Sequence, residues 1–263
     1  MDLGIKNKVA LVTAASQGLG KASAIELANE GVKLAICSRD QDKINQTAEE
    51  IQNLSGVEVL AVKADLDSTD DIENLIKEIE NKFNTVDILV NNTGGPKAGF
   101  FDDLSDEDWL KTFESTFLSA VRVTRKVLPF MKKNKWGRII NISSVSAKQP
   151  IDNLMLSNGV RMSIHGWAKT LSNQVASENI LINNVCPGFT HTERVDGLIK
   201  AQVENSNSSR EDIIESIASD IPAKRVGQAN ELAALVVFLS SEKASYITGQ
   251  SIAVDGGISS LPI

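Results

Sequence analysis

A turn of small residues near the N-terminus has the composition of a phosphate-binding loop. The apolar run Val9–Val12 leads into Thr13–Gly20, and a helical pattern follows from Ala22 to Asn29. Small residues between a strand and a helix let backbone N–H groups approach a pyrophosphate at the positive end of the helix. Such a turn also serves ordinary strand–helix packing, so the next elements must decide between the two interpretations.

The next predicted strand ends in a residue that favours a nucleotide with a 2′-phosphate. That strand is Lys33–Ser38, and Arg39 follows it directly. In a dinucleotide-binding fold the second strand ends at the adenosine ribose. An acidic residue there binds a free 2′-hydroxyl, whereas an arginine pairs with a 2′-phosphate. Arg39 therefore predicts NADP as the cofactor, with NAD as the alternative, and a solvated surface arginine is the weaker interpretation.

The elements that must position these residues alternate along the chain. Longer amphipathic segments such as Asp70–Phe83, Asp106–Lys132 and Asn158–Ser177 predict helices between short apolar runs. The strand candidates are Val9–Val12, Lys33–Ser38, Val57–Lys63, Ile88–Val90, Arg138–Ile142, Ile180–Val185 and Ser251–Val254. This alternation implies right-handed crossovers and a parallel sheet with helices on both faces. The predicted fold is α/β, a single Rossmann-type doubly wound domain over residues 1–263 with its ligand crevice at the carboxyl ends of the strands.

Several spaced motifs resemble those of the short-chain dehydrogenase/reductase family, most closely its 3-oxoacyl-(acyl-carrier-protein) reductase branch. The resemblance runs from about Lys8 to Gly257. Its markers are Thr13–Gly20, Asp65, Asn91–Gly94, Ser143, Ser144, Pro187, Gly188, Thr192, Tyr246–Gln250 and Val254–Gly257. The resemblance implies an NAD(P)-dependent oxidoreductase that interconverts a carbonyl and an alcohol by hydride transfer.

The resemblance also assigns residues to the cofactor. Most of them lie in the turns that follow successive strands, and one lies on a predicted helix. They are Thr13, Ser16, Gln17, Gly18, Leu19, Gly20, Arg39, Asp65, Leu66, Asn92, Thr93, Gly94, Arg161, Pro187, Gly188 and Thr192. Ala14 stands where the family usually has glycine, which places an extra methyl group near the pyrophosphate turn.

The chain departs from the family at the positions that perform the reaction. The family uses a serine that orients the carbonyl, a tyrosine that donates the proton, a lysine four residues later and an upstream asparagine. In this chain the four positions are occupied, in that order, by Ser144, Ser157, Arg161 and Thr116. Three of the four predicted catalytic residues are therefore changed. The single tyrosine of the chain, Tyr246, lies near the C-terminus.

The replacements favour cofactor binding over proton transfer. A serine hydroxyl is far less acidic than a phenol, and the Ser157 side chain stops well short of the place of a tyrosine oxygen. Arg161 can hold ribose hydroxyls or a cofactor phosphate, but it cannot give up a proton at neutral pH. A water held by Ser144, Ser157 and Thr116 is one remaining proton source, with Arg161 stabilising a developing alkoxide.

Neither histidine is a strong substitute for the tyrosine. His165 lies one helical turn beyond Arg161, and we expect it to face a helix-packing surface. His191 lies near the expected nicotinamide, and its unperturbed pKa suits proton transfer at neutral pH. A solvent-facing position is nevertheless the favoured interpretation of His191. Lys148 and Asp152, in the loop after the fifth strand, are candidate substrate contacts.

About thirty residues separate Thr192 from Pro222, which is longer than an ordinary connection. Helical patterns at Glu193–Val203 and Arg210–Ser219 flank a polar break at Asn205–Ser209. By resemblance, residues 193–221 are a substrate lid that is hinged at this break. The alternative is a surface segment that takes no part in substrate binding.

Composition argues against several other classes of protein. The net charge is −7, and no basic stripe is present that would neutralise nucleic-acid phosphates. Basic residues between Arg122 and Lys135 are expected to form a solvated helix face. Cys37 and Cys186 fall in apolar strands as small hydrophobic residues. With no signal peptide and no long apolar segment, these features predict a cytoplasmic protein without a membrane or metal site.

Two functions stay open at this point. The first is an NADP-preferring oxidoreductase that acts on a small carbonyl or alcohol with a modified proton donor. The second is a catalytically impaired NADP-binding regulatory or scaffold protein, or an inactive subunit that partners an active relative. The intact Ser144 and the large lid favour the first function, and the absence of the family's proton-donating tyrosine favours the second.

The expected partner is a second copy of the chain. By resemblance, the helices Asp106–Lys132 and Asn158–Ser177 form a dimer interface, and Val254–Ile263 adds the second interface of a tetramer. A homotetramer or homodimer is therefore expected. Ordinary core burial explains part of the same apolar pattern.

Overall fold

Seven parallel strands form one sheet in the order β3-β2-β1-β4-β5-β6-β7. The computed structural model describes residues 2–204, 206 and 208–260, without the side chains of residues 201 and 202. The strands are β1 Val9–Val12, β2 Lys33–Ser38, β3 Val59–Lys63, β4 Ile88–Asn91, β5 Gly137–Ile142, β6 Ile180–Pro187 and β7 Ser251–Val254. The predicted doubly wound sheet is confirmed, although β3 begins two residues later than predicted and β6 extends two residues further.

The α-helices cover both faces of the sheet. Within the described residues they are α1 Gly18–Asn29, α2 Gln41–Ser55, α3 Thr69–Phe83, α4 Asp106–Thr112, α5 Ser119–Asn134, α6 Met155–Val175, α7 Glu193–Glu204, α8 Arg210–Asp220 and α9 Ala229–Leu239. The predicted helix Asp106–Lys132 is interrupted, because a π-helical segment, Phe113–Leu118, joins α4 to α5. A π-helical turn holds more residues than an α-helical turn, so it changes which side chains face the sheet.

Two hydrophobic cores lie on opposite faces of the sheet because successive strand residues point to opposite sides. Ala10 and Val12 pack in the core beneath α1, α2 and α9. Leu11, between them, packs in the core beneath α3, α5 and α6. Both faces of the central strands are therefore buried. This burial explains why their sequences are continuous apolar runs rather than alternating ones.

A row of polar side chains crosses the sheet, from the carboxyl ends of β4 and β5 through the middle of β6 to the start of β7. Asn91, Asn141, Asn184 and Ser251 stand in register on β4, β5, β6 and β7. The Asn91 amide donates to Asn141 Oδ1 at 2.9 Å and to Thr124 Oγ1 at 3.1 Å. The Asn141 amide donates to Asn184 Oδ1, and the Asn184 amide donates to Ser251 Oγ, each at 2.9 Å. This amide row holds together the strand ends that carry the candidate site.

The segment after β6 contains the two predicted helices, with bounds within one residue of the prediction. The predicted break at Asn205–Ser209 is only partly described, because residues 205 and 207 lie outside the described residues. Ser209 caps α8, since its side chain accepts from Asp212 N. Of the predicted C-terminal interface, residues 261–263 likewise lie outside the described part.

Two further predictions concern cysteines and membranes. Cys37 and Cys186 are buried free thiols on β2 and β6, as predicted, and burial raises their pKa to about 12 and about 11, respectively. Both are therefore protonated at neutral pH. No helix in the described part of the chain is long and apolar enough to cross a bilayer.

Candidate active site

A cavity of about 950 Å³ opens at the carboxyl ends of the strands. Its wall contains most of the predicted cofactor and catalytic residues. They are Ser16, Gln17, Gly18, Leu19, Arg39, Asp65, Leu66, Asn92, Thr93, Gly94, Ser144, Ser157, Arg161, Pro187, Gly188 and Thr192. The parallel strands all end at this edge, so residues far apart in sequence meet in one cavity. Thr13, Gly20 and Thr116 are not on the wall.

Thr13 and Gly20 lie behind the cavity wall and fix the conformation of the turn between β1 and α1. The Thr13 hydroxyl donates to Asn92 O at 2.7 Å and accepts from Asn92 N at 2.8 Å. These bonds hold the end of β1 against the loop after β4. A Cβ at Gly20 would lie 2.5 Å from Ala14 O and 2.7 Å from Asn92 Nδ2, so only glycine fits there. The two predicted cofactor residues therefore position the turn instead of lining the cavity.

The turn leaves the N-terminus of α1 free to bind an anion. Gln17 precedes α1 and makes no side-chain capping bond, and the first turn of the helix has no acidic residue. Ala14 and Gly18 have φ angles of 46° and 56°, the left-handed backbone conformation that a tight turn requires. Uncapped N–H groups and the helix dipole favour a phosphate at this end of α1.

A second cation stands near Arg39 at the adenosine end of the cavity. Arg39 is exposed on the wall together with Ser38 and Lys43. The Asp40 carboxylate caps α2 by accepting from Asp42 N and Lys43 N, each at 3.1 Å. None of the ion pairs in the described residues involves Arg39. Lys43 was not predicted, although its place in the first turn after Arg39 was the available signal.

Ser144 and Ser157 both form hydrogen bonds with Ser146, which was not among the predicted site residues. Ser144 Oγ accepts from Ser146 N at 3.0 Å, which leaves its own hydroxyl proton available to a ligand. Ser157 Oγ lies 2.8 Å from the Ser146 hydroxyl oxygen. Ser146 therefore links the loop after β5 to the first turn of α6. Its position two residues after Ser144 was the signal that could have identified it.

Arg161 connects α6 to the end of β5. Its Nη1 donates to Ile142 O and Ser143 O, each at 3.0 Å. Burial lowers the pKa of Arg161 to about 10, with the nearby charge of Arg194 contributing. The guanidinium stays charged at neutral pH. Its other N–H groups have no protein partner among the described residues, and the side chain lines the cavity.

Thr116 does not lie on the wall of the cavity, unlike the other three predicted catalytic residues. Thr116 is 2% exposed and lies within the π-helical segment Phe113–Leu118. Thr112 and Ser115 face the cavity in its place. The wider π-helical turn changes the angular position of each residue, so a count from neighbouring motifs cannot tell which side chain faces the cavity.

The lid segment contributes an arginine that crosses the cavity. Thr192 and the first residues of α7 line the wall, and Arg194 Nη2 donates to Pro96 O in the loop after β4. The Arg194 side chain packs so closely on Gly95 that a Cβ there would collide with it. Sequence reasoning missed Arg194, because only the fold places α7 opposite the β4 loop.

Two candidate substrate contacts also lie elsewhere than predicted. Neither Lys148 nor Asp152 is among the residues that line the cavity, whereas Ile151 and Leu154 of the same loop are. Beyond Ser143 and Ser144, this loop contributes the aliphatic residues Val145, Ile151 and Leu154 to the wall.

Comparisons with known proteins agree with this arrangement. The family profile described as Enoyl-(Acyl carrier protein) reductase matches residues 13–259. The chain belongs to the short-chain dehydrogenase/reductase family. It is 35% identical over 254 residues to the NADPH-dependent reductase BacG of Bacillus subtilis, covering 96% of this chain and 98% of BacG. It is 33% identical over 253 residues to the 3-oxoacyl-(acyl-carrier-protein) reductase FabG of Staphylococcus epidermidis, covering 96% and 99%.

A solved structure shows the same fold. The crystal structure of L-sorbose reductase from Gluconobacter frateurii, complexed with NADPH and L-sorbose, aligns with a TM-score of 0.96 and 31% identity. The alignment covers 99% of this chain and 100% of the reductase. The predicted family is confirmed, and with it the predicted class, an NAD(P)-dependent oxidoreductase.

His165 lies against the ends of β5 and β6. His165 Nε2 lies 2.9 Å from Ser143 Oγ and 3.7 Å from Cys186 Sγ, so it faces the strand ends and not the predicted helix-packing surface. Burial, with the charges of Lys148 and Arg161, lowers the pKa of His165 to about 4. His165 is therefore neutral at pH 7 and lies behind the cavity wall.

His191 and Tyr246 are not on the cavity wall either. Thr190 and Thr192 line the cavity, but His191 between them does not. The His191 backbone N–H donates to Gly227 O at 2.9 Å, which holds this turn. Tyr246 is fully exposed. Among the described residues, no histidine or tyrosine lies on the cavity wall.

Proposed function

We propose that this chain is an NADP(H)-dependent reductase that interconverts a small carbonyl compound and its alcohol. The single observation that carries the proposal is the continuity of the cavity. It runs from Arg39 and Lys43, past the uncapped start of α1, to Ser144 and Arg161. Two relatives support the same cofactor, since BacG is an NADPH-dependent reductase and the L-sorbose reductase structure is a complex with NADPH.

The residues present fit this cofactor. A pyrophosphate would be held by N–H groups at the start of α1, and Gly20 permits the close approach of the turn. Arg39 and Lys43 would hold the 2′-phosphate. Pro187, Gly188 and Thr192 lie on the wall beside Ser144 and would hold the nicotinamide. The bound cofactor supplies the hydride.

The chain's own residues would orient the carbonyl and stabilise its charge. The Ser144 hydroxyl donates to the carbonyl oxygen. Hydride addition to the carbonyl carbon would leave negative charge on that oxygen, which the charge of Arg161 would stabilise. A water held between Ser144 and Ser157 would then give the alkoxide its proton, and the hydroxide left behind would be reprotonated from solvent through the open cavity. The buried Ser146 would fix the Ser157 hydroxyl through their hydrogen bond.

Residues 193–221 would act as the substrate lid. Thr192 adjoins the segment, and Arg194 contacts Pro96 on the opposite side of the cavity. A segment that touches both walls can exclude water once a substrate is bound.

A second function has its own support. Ser157 is hydrogen-bonded to Ser146, and no histidine or tyrosine among the described residues stands on the wall. A protein that binds NADP without turnover, as a regulatory protein or as an inactive subunit of an active relative, fits these facts. NADPH binding without oxidation across a broad carbonyl panel would support this function.

The test of the main proposal combines binding with turnover. NADPH fluorescence should report saturable binding, and a panel of aldehydes, ketones and oxo acids should contain a substrate that oxidises NADPH. Absence of NADPH binding would refute both functions. Binding without turnover would select the second.

We also propose a homodimer or homotetramer in the cytoplasm. Leu110 and Phe113, with 71% and 38% exposure, line a shallow groove together with Gly159 and Val160 of α6. An exposed apolar groove of this kind indicates a protein interface. Sedimentation velocity of the wild type and of Leu110→Asp should show a dimer or tetramer that the variant weakens. A monomeric wild type would contradict the proposal.

A further inference from the structure

Two arginines meet at the catalytic end of the cavity without a carboxylate partner. None of the ion pairs in the described part of the chain includes Arg161 or Arg194. The protein hydrogen bonds from their guanidinium groups go to backbone carbonyls: Ile142 O and Ser143 O for Arg161, and Pro96 O for Arg194. Both side chains line the cavity. We call them the arginine pair.

Placing two cations close together is unfavourable without an anion. Each charge opposes the other, and burial of Arg161 adds a desolvation cost. Carbonyl oxygens orient the guanidinium groups but carry only partial charge. The free N–H groups of Arg161 and Arg194 are donors with the planar geometry that suits a carboxylate.

The arginine pair is separate from the site expected for the 2′-phosphate. Arg39 follows β2, whereas Arg161 binds the end of β5, three strands away in the sheet. Neighbouring strands lie about 4.8 Å apart, so the two sites are separated by about 14 Å. Arg39 and Lys43 can serve the adenosine phosphate while the arginine pair serves another anion.

Resting on the proposed function, we propose that the arginine pair binds a substrate carboxylate and that the substrate is a small oxo acid. Arg161 donates to the carbonyl of Ser143, the residue directly before Ser144. A substrate whose carbonyl oxygen contacts the Ser144 hydroxyl would place a carboxylate one or two bonds away against Arg161. Arg194 would close over the same carboxylate from α7. The preferred substrates are therefore 2-oxo acids and the corresponding 2-hydroxy acids.

The hydride transfer remains balanced with this substrate. One 2-oxo acid, one NADPH and one proton give one 2-hydroxy acid and one NADP⁺. The carboxylate is unchanged, and its contact with the arginine pair fixes the carbonyl relative to Ser144. The neutral amide of the same acid keeps the size and the carbonyl but loses the charge, so it isolates the contribution of the anion.

The test uses Arg194→Met, because Arg194 is exposed and its replacement leaves the α6–β5 contact of Arg161 intact. Lys200→Met is the matched control, since Lys200 is an exposed cation of α7 that is not on the wall. Two probes are compared, 2-oxohexanoate and 2-oxohexanamide. Their kcat/KM values are measured with NADPH, and their binding to the NADP⁺ complex is measured by titration calorimetry.

The wild type should favour the acid over the amide, and Arg194→Met should lower the acid-to-amide ratio of kcat/KM on the order of 10-fold to 100-fold. Loss of the Arg194–Pro96 lid contact would lower both substrates equally and leave this ratio unchanged. The NADPH affinity should stay unchanged, and Lys200→Met should match the wild type. An equal acid and amide response would overturn the proposal. Weaker NADPH binding in Arg194→Met with an unchanged acid-to-amide ratio would assign the pair to a cofactor phosphate and also overturn it.

The calorimetric binding measurement tests the carboxylate site independently of the proposed reductase activity. If no carbonyl compound is turned over, the reductase proposal fails. Binding of 2-oxohexanoate to the wild-type NADP⁺ complex, and its loss in Arg194→Met, would still support the carboxylate site. Absence of 2-oxohexanoate binding by a protein that reduces neutral carbonyls would refute the carboxylate site alone.

Discussion

Replacing Arg39 by aspartate is expected to change the cofactor preference from NADPH to NADH. Arg39 is exposed at the end of β2 and has no ion-pair partner among the described residues, so its guanidinium is available to a 2′-phosphate. A charge-assisted hydrogen bond contributes about 1.5–3 kcal/mol, and exposure favours the lower value. The wild type should therefore prefer NADPH by at least about 10-fold.

Arg39→Asp should lower the free energy of NADPH binding by more than the lost hydrogen bond contributes. An aspartate places a like charge near the phosphate, which adds about 1 kcal/mol of repulsion at a solvated distance of about 4 Å. The NADPH affinity should then fall about 50-fold to 100-fold. NADH should bind equally well or better, because a carboxylate can accept from the free 2′-hydroxyl. Lys43→Met should weaken NADPH binding by a smaller factor.

Nicotinamide fluorescence titrations at constant ionic strength measure these effects. Arg125→Asp is the control, since Arg125 is exposed on α5, away from the cavity wall, and changes the net charge equally. The NADPH affinity of the wild type should also fall as salt is added, because the contact is solvated. Equal affinity of the wild type for NADH and NADPH would refute the assignment of Arg39.

Four further outcomes are expected. Ser144→Ala should lower kcat about 10²-fold or more with little change in NADPH affinity, measured by steady-state kinetics. Hydrogen exchange in 193–221 should be fast in the free protein and slow with cofactor and substrate; protection equal to that of the central strands would contradict a lid. Asn141→Ala should lower the free energy of unfolding by about 3 kcal/mol in denaturant titrations, because two hydrogen bonds are lost and Asn184 Oδ1 loses its donor. Because the folded-state pKa of His165 is lowered to about 4, stability should fall as the pH drops from about 6.5 to 4, and His165→Asn should show a smaller fall.

Much of the fold could be predicted because its signals are local. A parallel strand buried on both faces is a short apolar run, and β1, β2 and β7 have the predicted bounds. Helix limits were harder to predict. The π-helical segment Phe113–Leu118 has no distinctive composition that would have predicted it. A count along the sequence therefore could not tell that Thr116 lies behind the cavity wall while Thr112 and Ser115 line it.

The sequence by itself determined which chemical groups end the strands: the small turn Thr13–Gly20, Arg39 and Ser144. These features are read from order and spacing, whereas serine at position 157 in place of a tyrosine is what the resemblance to the family implies. Only the tertiary structure decided that Ser146 links Ser144 to Ser157, and that Arg194 of α7 stands over the cavity near Arg161. Contacts between distant segments depend on the rotation of each helix about its own axis and on the position at which each connection rejoins the sheet. Neither can be predicted from a local sequence pattern.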